Sequence, residues 1–151
     1  MKIKEFINYM LQPIINETLK RGYNTAVAFT CLCQCALETG WLKSELMRSN
    51  NAPFGIKYHI NNDRYYEAWT TEYKNGQYVK CIAKFQAYDT IEQAIDDYFN
   101  LIGMKRYASA LNCDTVKACI TEIQKGGYAT DPNYINSIMA VYDTVTHALR
   151  N

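Results

Sequence analysis

Ala36-Leu37-Glu38-Thr39-Gly40-Trp41 closes an apolar helical run, and Asn50-Asn51-Ala52-Pro53-Phe54-Gly55-Ile56-Lys57 follows it as a polar and aromatic loop. Together the two stretches put one carboxylate where a helix leaves the core and meets aromatic rings. A Glu with apolar helical neighbours and aromatic side chains on its far side loses hydration when charged. Its pKa rises toward the range in which it can donate a proton at neutral pH.

Reading back from Glu38, a helix opens at Asn24 or Thr25, a good capping pair, and continues through Ala26, Val27, Phe29, Leu32, Cys33 and Leu37 to a stop at Gly40. Before it, Phe6, Ile7, Met10, Leu11, Ile14, Ile15 and Leu19 recur with helical period between Lys2 and Arg21. Pro13 lies inside that run and is expected to start or kink a second piece, with Gly22 as the end.

Reading forward, Lys43 to Gly55 is a loop by composition. Between Arg64 and Tyr88 the pattern changes to period two, and Lys74-Asn75-Gly76 is a hairpin signal because Asn-Gly readily supplies two positive φ angles. Strands are expected over Tyr66 to Tyr73 and Gln77 to Ala87, with Thr70 and Glu72 on one face and Trp69, Thr71 and Tyr73 on the other. Helix resumes after Asp89-Thr90, with Ile91, Ala94, Ile95, Tyr98, Phe99, Leu101 and Ile102 inward, and further helices are expected over Thr115 to Lys125 and Pro132 to Leu149. The fold class is therefore mainly α, with one small antiparallel hairpin.

The 151 residues, 48% of them hydrophobic, suit one domain over residues 1–151 that buries its core without staples. Sixteen Lys and Arg against fifteen Asp and Glu give a net charge of +1, so neither nucleic acid nor an acidic membrane is an expected partner. No apolar run reaches membrane-spanning length, and Glu5 and Asn8 interrupt the N-terminal stretch that a secretion signal would need. Synthesis in the cytoplasm is the expectation, as is a monomer.

Six cysteines stand at 31, 33, 35, 81, 113 and 119, without a CxxC pair and with His59 and His147 far away in sequence. Buried thiols explain them better than a zinc site or a disulfide framework, so no metal and no cofactor are expected. Thirteen Tyr, two Trp and five Phe supply rings that either fill the core or stack on sugars.

Four motifs occur in order: Glu38-Thr39-Gly40-Trp41; Asn50-Asn51 with Phe54-Gly55-Ile56-Lys57; Thr71-Glu72-Tyr73 before Asn75-Gly76; and Tyr128-Ala129-Thr130-Asp131-Pro132-Asn133-Tyr134. Over about residues 25 to 145 the chain resembles the glucosaminidases of bacterial cell-wall hydrolysis, glycoside hydrolase family 73. The resemblance implies a lysozyme-like helical domain with a small β-lobe flanking a substrate groove. It implies cleavage of the β-1,4 bond after N-acetylglucosamine in peptidoglycan glycan strands, on the cell wall after release or export.

On the same resemblance Glu38 matches the general acid. Glu72 is the best match to the β-lobe carboxylate that acts as base or charge stabiliser, and Tyr128 matches a functional tyrosine. Trp41, Asn50, Asn51, Phe54, Tyr73 and Tyr134 are the candidate substrate-binding residues, rings for sugar faces and amides for hydroxyls and acetamides. A glycosidic oxygen leaves poorly unless protonated, and the oxocarbenium-like transition state needs an activated water, a carboxylate or the substrate's own acetamide on the other face. The family often has Gly after the Trp, where this chain has Leu42, and Ala52-Pro53 replaces a single apolar residue. A muramidase or lytic transglycosylase on the same scaffold is the nearest alternative, and a non-catalytic glycan-binding domain is the alternative from another class.

Overall fold

A computed structural model describes residues 1–151. Helix α1 runs Ile3–Lys20 and buries Phe6, Ile7, Met10, Ile14 and Thr18 along one stripe. It passes through Pro13 as one helix rather than starting a second piece there. Proline removes the amide that would bond the Tyr9 carbonyl, but Tyr9 lies on the exposed face of the helix at 51% exposure, and the buried stripe holds the helix together. Leu19, read as part of the apolar stripe, is 60% exposed.

Helix α2, Thr25–Thr39, is buried nearly all round and forms the centre of the molecule. Asn24 caps it, its Oδ1 accepting from the Val27 amide at 3.2 Å. It packs against α1, against α5 (Val116–Lys125) and against α6 (Tyr134–Arg150). The expected loop after it contains one short helix, α3 (Glu45–Ser49), capped by Ser44.

Strands β1 (Tyr65–Lys74) and β2 (Gln77–Gln86) form an antiparallel ribbon in the register Lys74↔Gln77 and Trp69↔Ile82. Asn75 and Gly76 have φ of 52° and 78°, the two positive values that a two-residue hairpin needs. Along the other edge of β2, Lys57 pairs with Phe85, bringing the Phe54-Gly55-Ile56-Lys57 segment beside the ribbon. A small cluster of Tyr66, Phe85, Ala87, Tyr88 and Ala94 roots the ribbon on α4 (Ile91–Ile102), apart from the main helical core. A short 3-10 helix, Ala108–Asn112, leads into α5. No helix is long and apolar enough to cross a membrane.

Candidate active site

Between the helical body and the ribbon lies a groove of about 800 Å³, lined among others by Glu38, Phe54, Gly55, Lys57, His59, Glu72, Tyr73, Asp97, Tyr128 and Tyr134. Glu38 stands in the last turn of α2. One side of its carboxyl opens on the groove, so the residue is exposed, but protein encloses its remaining sides. That enclosure withdraws hydration and pushes the carboxyl up to about 7. No hydrogen bond or salt bridge within the chain offsets the loss.

Two features of the backbone set this carboxyl. Gly55 has a φ of 63°, and a Cβ built there would lie 2.5 Å from Glu38 Oε1 and 2.9 Å from its Cδ. The missing side chain is thus the space that Glu38 occupies. After the helix, Gly40, Trp41 and Leu42 take φ of 58°, 62° and 61°, three left-handed residues in succession. Two of them carry side chains, at a cost of about 1–2 kcal/mol each. The turn is held by Thr39 Oγ1, which donates to the Cys35 carbonyl at 2.7 Å and accepts from the Leu42 amide at 2.8 Å. Arg48 adds a bond to the Leu42 carbonyl at 2.8 Å. Leu42 stands where the family often has Gly, and its φ shows why Gly is suited to that position.

Glu72, on β1, has the opposite environment. Its Oε1 accepts from Lys57 Nζ at 2.6 Å and its Oε2 lies 3.2 Å from Lys74 Nζ. Lys57, and then Lys74, hold the carboxyl below the usual carboxylate range. The groove therefore carries one carboxyl that favours its proton and one that favours its charge.

Tyr128 is half-buried and packs between Tyr107 and Tyr134, with ring centroids 6.0 and 6.3 Å away. Burial keeps its phenol protonated well above the ordinary range, with Tyr134 and Glu38 adding to the effect. Tyr134 is oriented from below by Gln34, only 2% exposed, whose Oε1 accepts from the Tyr98 hydroxyl and whose Nε2 donates to the Tyr134 oxygen at 2.9 Å. With its oxygen already accepting, Tyr134 keeps its own proton for the groove. Phe54 lines the groove but is 3% exposed and stacks on Tyr98, so it serves chiefly as floor.

Tyr73 lies at the far end of the ribbon, where its amide donates to Thr130 Oγ1 at 3.3 Å and the Tyr78 hydroxyl donates to Asp131 Oδ1 at 3.0 Å. These bonds connect the hairpin to the Tyr128–Tyr134 stretch.

Trp41, Asn50 and Asn51 do not line the groove. Trp41 sits edge-on to Phe6 at 5.4 Å, on the core side, because its left-handed backbone turns it away. The Asn51 amide donates to the Tyr88 and Asp89 carbonyls at 3.2 and 3.1 Å, and the Asn50 amide donates to the Leu46 carbonyl at 2.8 Å. Both fasten the loop that presents Phe54 and Gly55.

Lys57, His59, Asp97, Thr130 and Asp131 line the groove without having been singled out from the sequence. Lys57, Thr130 and Asp131 fall inside the quoted motifs, whereas nothing local marks His59 or Asp97. No cluster of three or more His, Cys, Asp or Glu side chains is arranged to hold a metal ion.

The family model described as mannosyl-glycoprotein endo-β-N-acetylglucosaminidase, the glucosaminidase model, matches residues 15–147. The chain is 38% identical over 145 residues to the peptidoglycan hydrolase FlgJ of Pseudomonas aeruginosa, covering 91% of this chain and 35% of that protein. It is 31% identical over 154 residues to the exo-glucosaminidase LytG of Bacillus subtilis, covering 89% of this chain and 52% of that protein. It thus spans about a third to a half of the length of these relatives. A crystal structure of a peptidoglycan hydrolase mutant from Sphingomonas sp. A1 superposes with a TM-score of 0.85 at 32% identity, covering 97% of both chains. With a lysozyme-like body, a two-stranded lobe and a match over most of its length, the chain belongs to the glucosaminidase family of glycoside hydrolases.

Proposed function

We propose that the chain is an endo-β-N-acetylglucosaminidase that hydrolyses the β-1,4 bond after N-acetylglucosamine in peptidoglycan, acting on the cell wall as a monomeric catalytic domain. The observation that carries the mechanism is the pair of groove carboxyls with opposed environments, Glu38 pushed up to about 7 by enclosure and Glu72 held ionised by Lys57 and Lys74. Glu38 protonates the leaving oxygen. Glu72 supplies negative charge, or activates a water, on the opposite side as the oxocarbenium character develops. Tyr128 and Tyr134, both neutral, offer hydroxyls to the acetamide or the attacking water. The likeness to FlgJ, a peptidoglycan hydrolase, supports peptidoglycan as substrate, and the likeness to LytG, an exo-glucosaminidase, supports a glucosaminidase reaction.

The test is turbidity loss on purified peptidoglycan, followed by borohydride reduction and mass analysis of the fragments, for wild type beside folded Glu38→Gln. Reduced glucosamine ends from the wild type and inactivity of the variant are expected. Reduced muramic or anhydro-muramyl ends would overturn the bond assignment, and release of single sugar units would indicate exo action. Activity retained by Glu38→Gln would overturn the acid.

A further inference from the structure

A second built feature of the groove is not used by the carboxyl chemistry. Asp97, on α4, is 8% exposed and lines the groove. Its Oδ2 accepts from the Tyr88 hydroxyl and lies 2.8 Å from His59 Nε2. Burial and this bond hold the Tyr88 phenol protonated, so Tyr88 serves as donor. A carboxylate oxygen facing Nε2 accepts from the tautomer that carries its proton there, and in that tautomer Nδ1 is a lone-pair acceptor. Nδ1 has no partner in the chain.

His59 is fixed from behind as well. Gln86, fully buried, accepts from the His59 and Ile60 amides at 3.1 and 3.0 Å, while its own amide donates to the Arg64 carbonyl at 2.8 Å. The imidazole is thus oriented by both backbone and ring, yet its side chain is 48% exposed and faces the groove. A tie that served only to fasten the 58–62 loop to α4 would have no need of a groove-facing ring. One turn along α4 from Asp97, Leu101 lines the same groove, and just past the helix end Met104, which is 50% exposed, lines it too. An oriented acceptor beside apolar surface matches an acetamide, whose N–H seeks an acceptor and whose methyl seeks apolar contact; a bare hydroxyl has only the first requirement.

We propose that His59, positioned by Asp97, is the hydrogen-bond acceptor of a further groove subsite that takes the N-acetyl group of a 2-acetamido sugar, with Leu101 and Met104 receiving its methyl. This rests on the glucosaminidase reading for the class of ligand. Asp97 acts through His59 and is a positioning residue.

The experiment compares binding of the N-acetylglucosamine hexamer and its fully de-N-acetylated counterpart to the Glu38→Gln protein, with and without His59→Gln. A Gln amide reproduces Nε2–H toward Asp97 but offers no acceptor at the Nδ1 position. The acetylated-to-deacetylated affinity ratio is expected to fall on the order of three- to tenfold in His59→Gln, with the melting temperature unchanged. An unchanged ratio would overturn the subsite, and so would equal weakening toward both sugars, since a purely structural tie affects shape without affecting discrimination. If the ratio falls but wild-type protein does not hydrolyse peptidoglycan, the subsite stands and the glucosaminidase reading fails.

Discussion

Gly55 and Glu38 occupy complementary space: a methyl group on Gly55 would lie 2.5 Å from Glu38 Oε1. The Phe54-Gly55 step and the Glu38 turn, seventeen positions apart in the chain, therefore have to be read as one device. Gly55→Ala should keep the fold, with strain of about 1 kcal/mol from its φ of 63°. It should lose activity by about 100-fold if Glu38 is the acid proposed above, because displacement of a reacting group by about 1 Å is that damaging. Near-normal turnover in a variant with native circular dichroism would show that the acid does not depend on this space.

Activity should require Glu38 protonated and Glu72 ionised. The pH profile of kcat/KM on a soluble oligosaccharide should fall as pH rises through about 7. Its acid limb should lie below the usual carboxylate range, since Lys57 and Lys74 depress Glu72. Lys57→Met removes the larger of the two influences and should move the acid limb upward while leaving the alkaline limb in place. Movement of the alkaline limb instead would reverse the two assignments.

Glu38 should also tie stability to pH. Its folded value of about 7 exceeds the ordinary 4.5, so the folded state holds this proton more tightly than the unfolded chain. The resulting stabilisation is fully present below the unfolded value and disappears as pH climbs through about 7. Gln cannot ionise, so the melting temperature of Glu38→Gln should gain on wild type between pH 4 and pH 8. The gain should be small, because one side of the carboxyl is open to the groove. A difference between the proteins that does not change with pH would remove the basis for the raised value.

Leu42→Gly sets two effects against each other. Gly relieves about 1–2 kcal/mol of left-handed strain. Leu42 is 1% exposed, however, and deleting such a side chain costs about 2–5 kcal/mol. Burial should win, leaving a net loss on the order of 2 kcal/mol in a denaturant titration. A gain in stability would mean that strain outweighs packing at this turn.

The hairpin tip is fastened by exposed bonds from Tyr73 to Thr130 and from Tyr78 to Asp131. Tyr78→Phe should leave the melting temperature close to that of the wild type while speeding amide exchange at Tyr73 and along the β1–β2 turn. Unaltered exchange at those amides would show that the Tyr78 bond does not hold the tip.

Local chemistry was legible in the chain to the extent that each signal is itself local. Asn24, Thr90 and Thr115 cap helices because their side chains reach amides three residues on, whereas Ser44 does the same for a helix too short to show a period within a stretch that reads as loop. Asn75-Gly76 turns the hairpin because those two residues tolerate positive φ. Pro13 did not start a second helix because a helix tolerates one missing bond when its buried stripe is intact and the interruption falls beside an exposed residue, Tyr9. The roles of Trp41, Asn50 and Asn51 were not legible because aromatic and amide side chains near an acid suit a cleft and a loop support equally well, and only their partners distinguish the two.

The amino-acid sequence by itself determined the five long helices, the hairpin, the placement of Glu38 at a helix end and, through four ordered motifs, the family. Tertiary structure alone decided that Lys57 and Lys74 flank Glu72, that Gly55 makes room for Glu38, and that Asp97 orients His59. Helix and turn signals depend on neighbours within about four residues. Enclosure, ion pairing and steric room depend instead on groups such as Lys57 and Glu72, or His59 and Asp97, which only folding brings within hydrogen-bond distance.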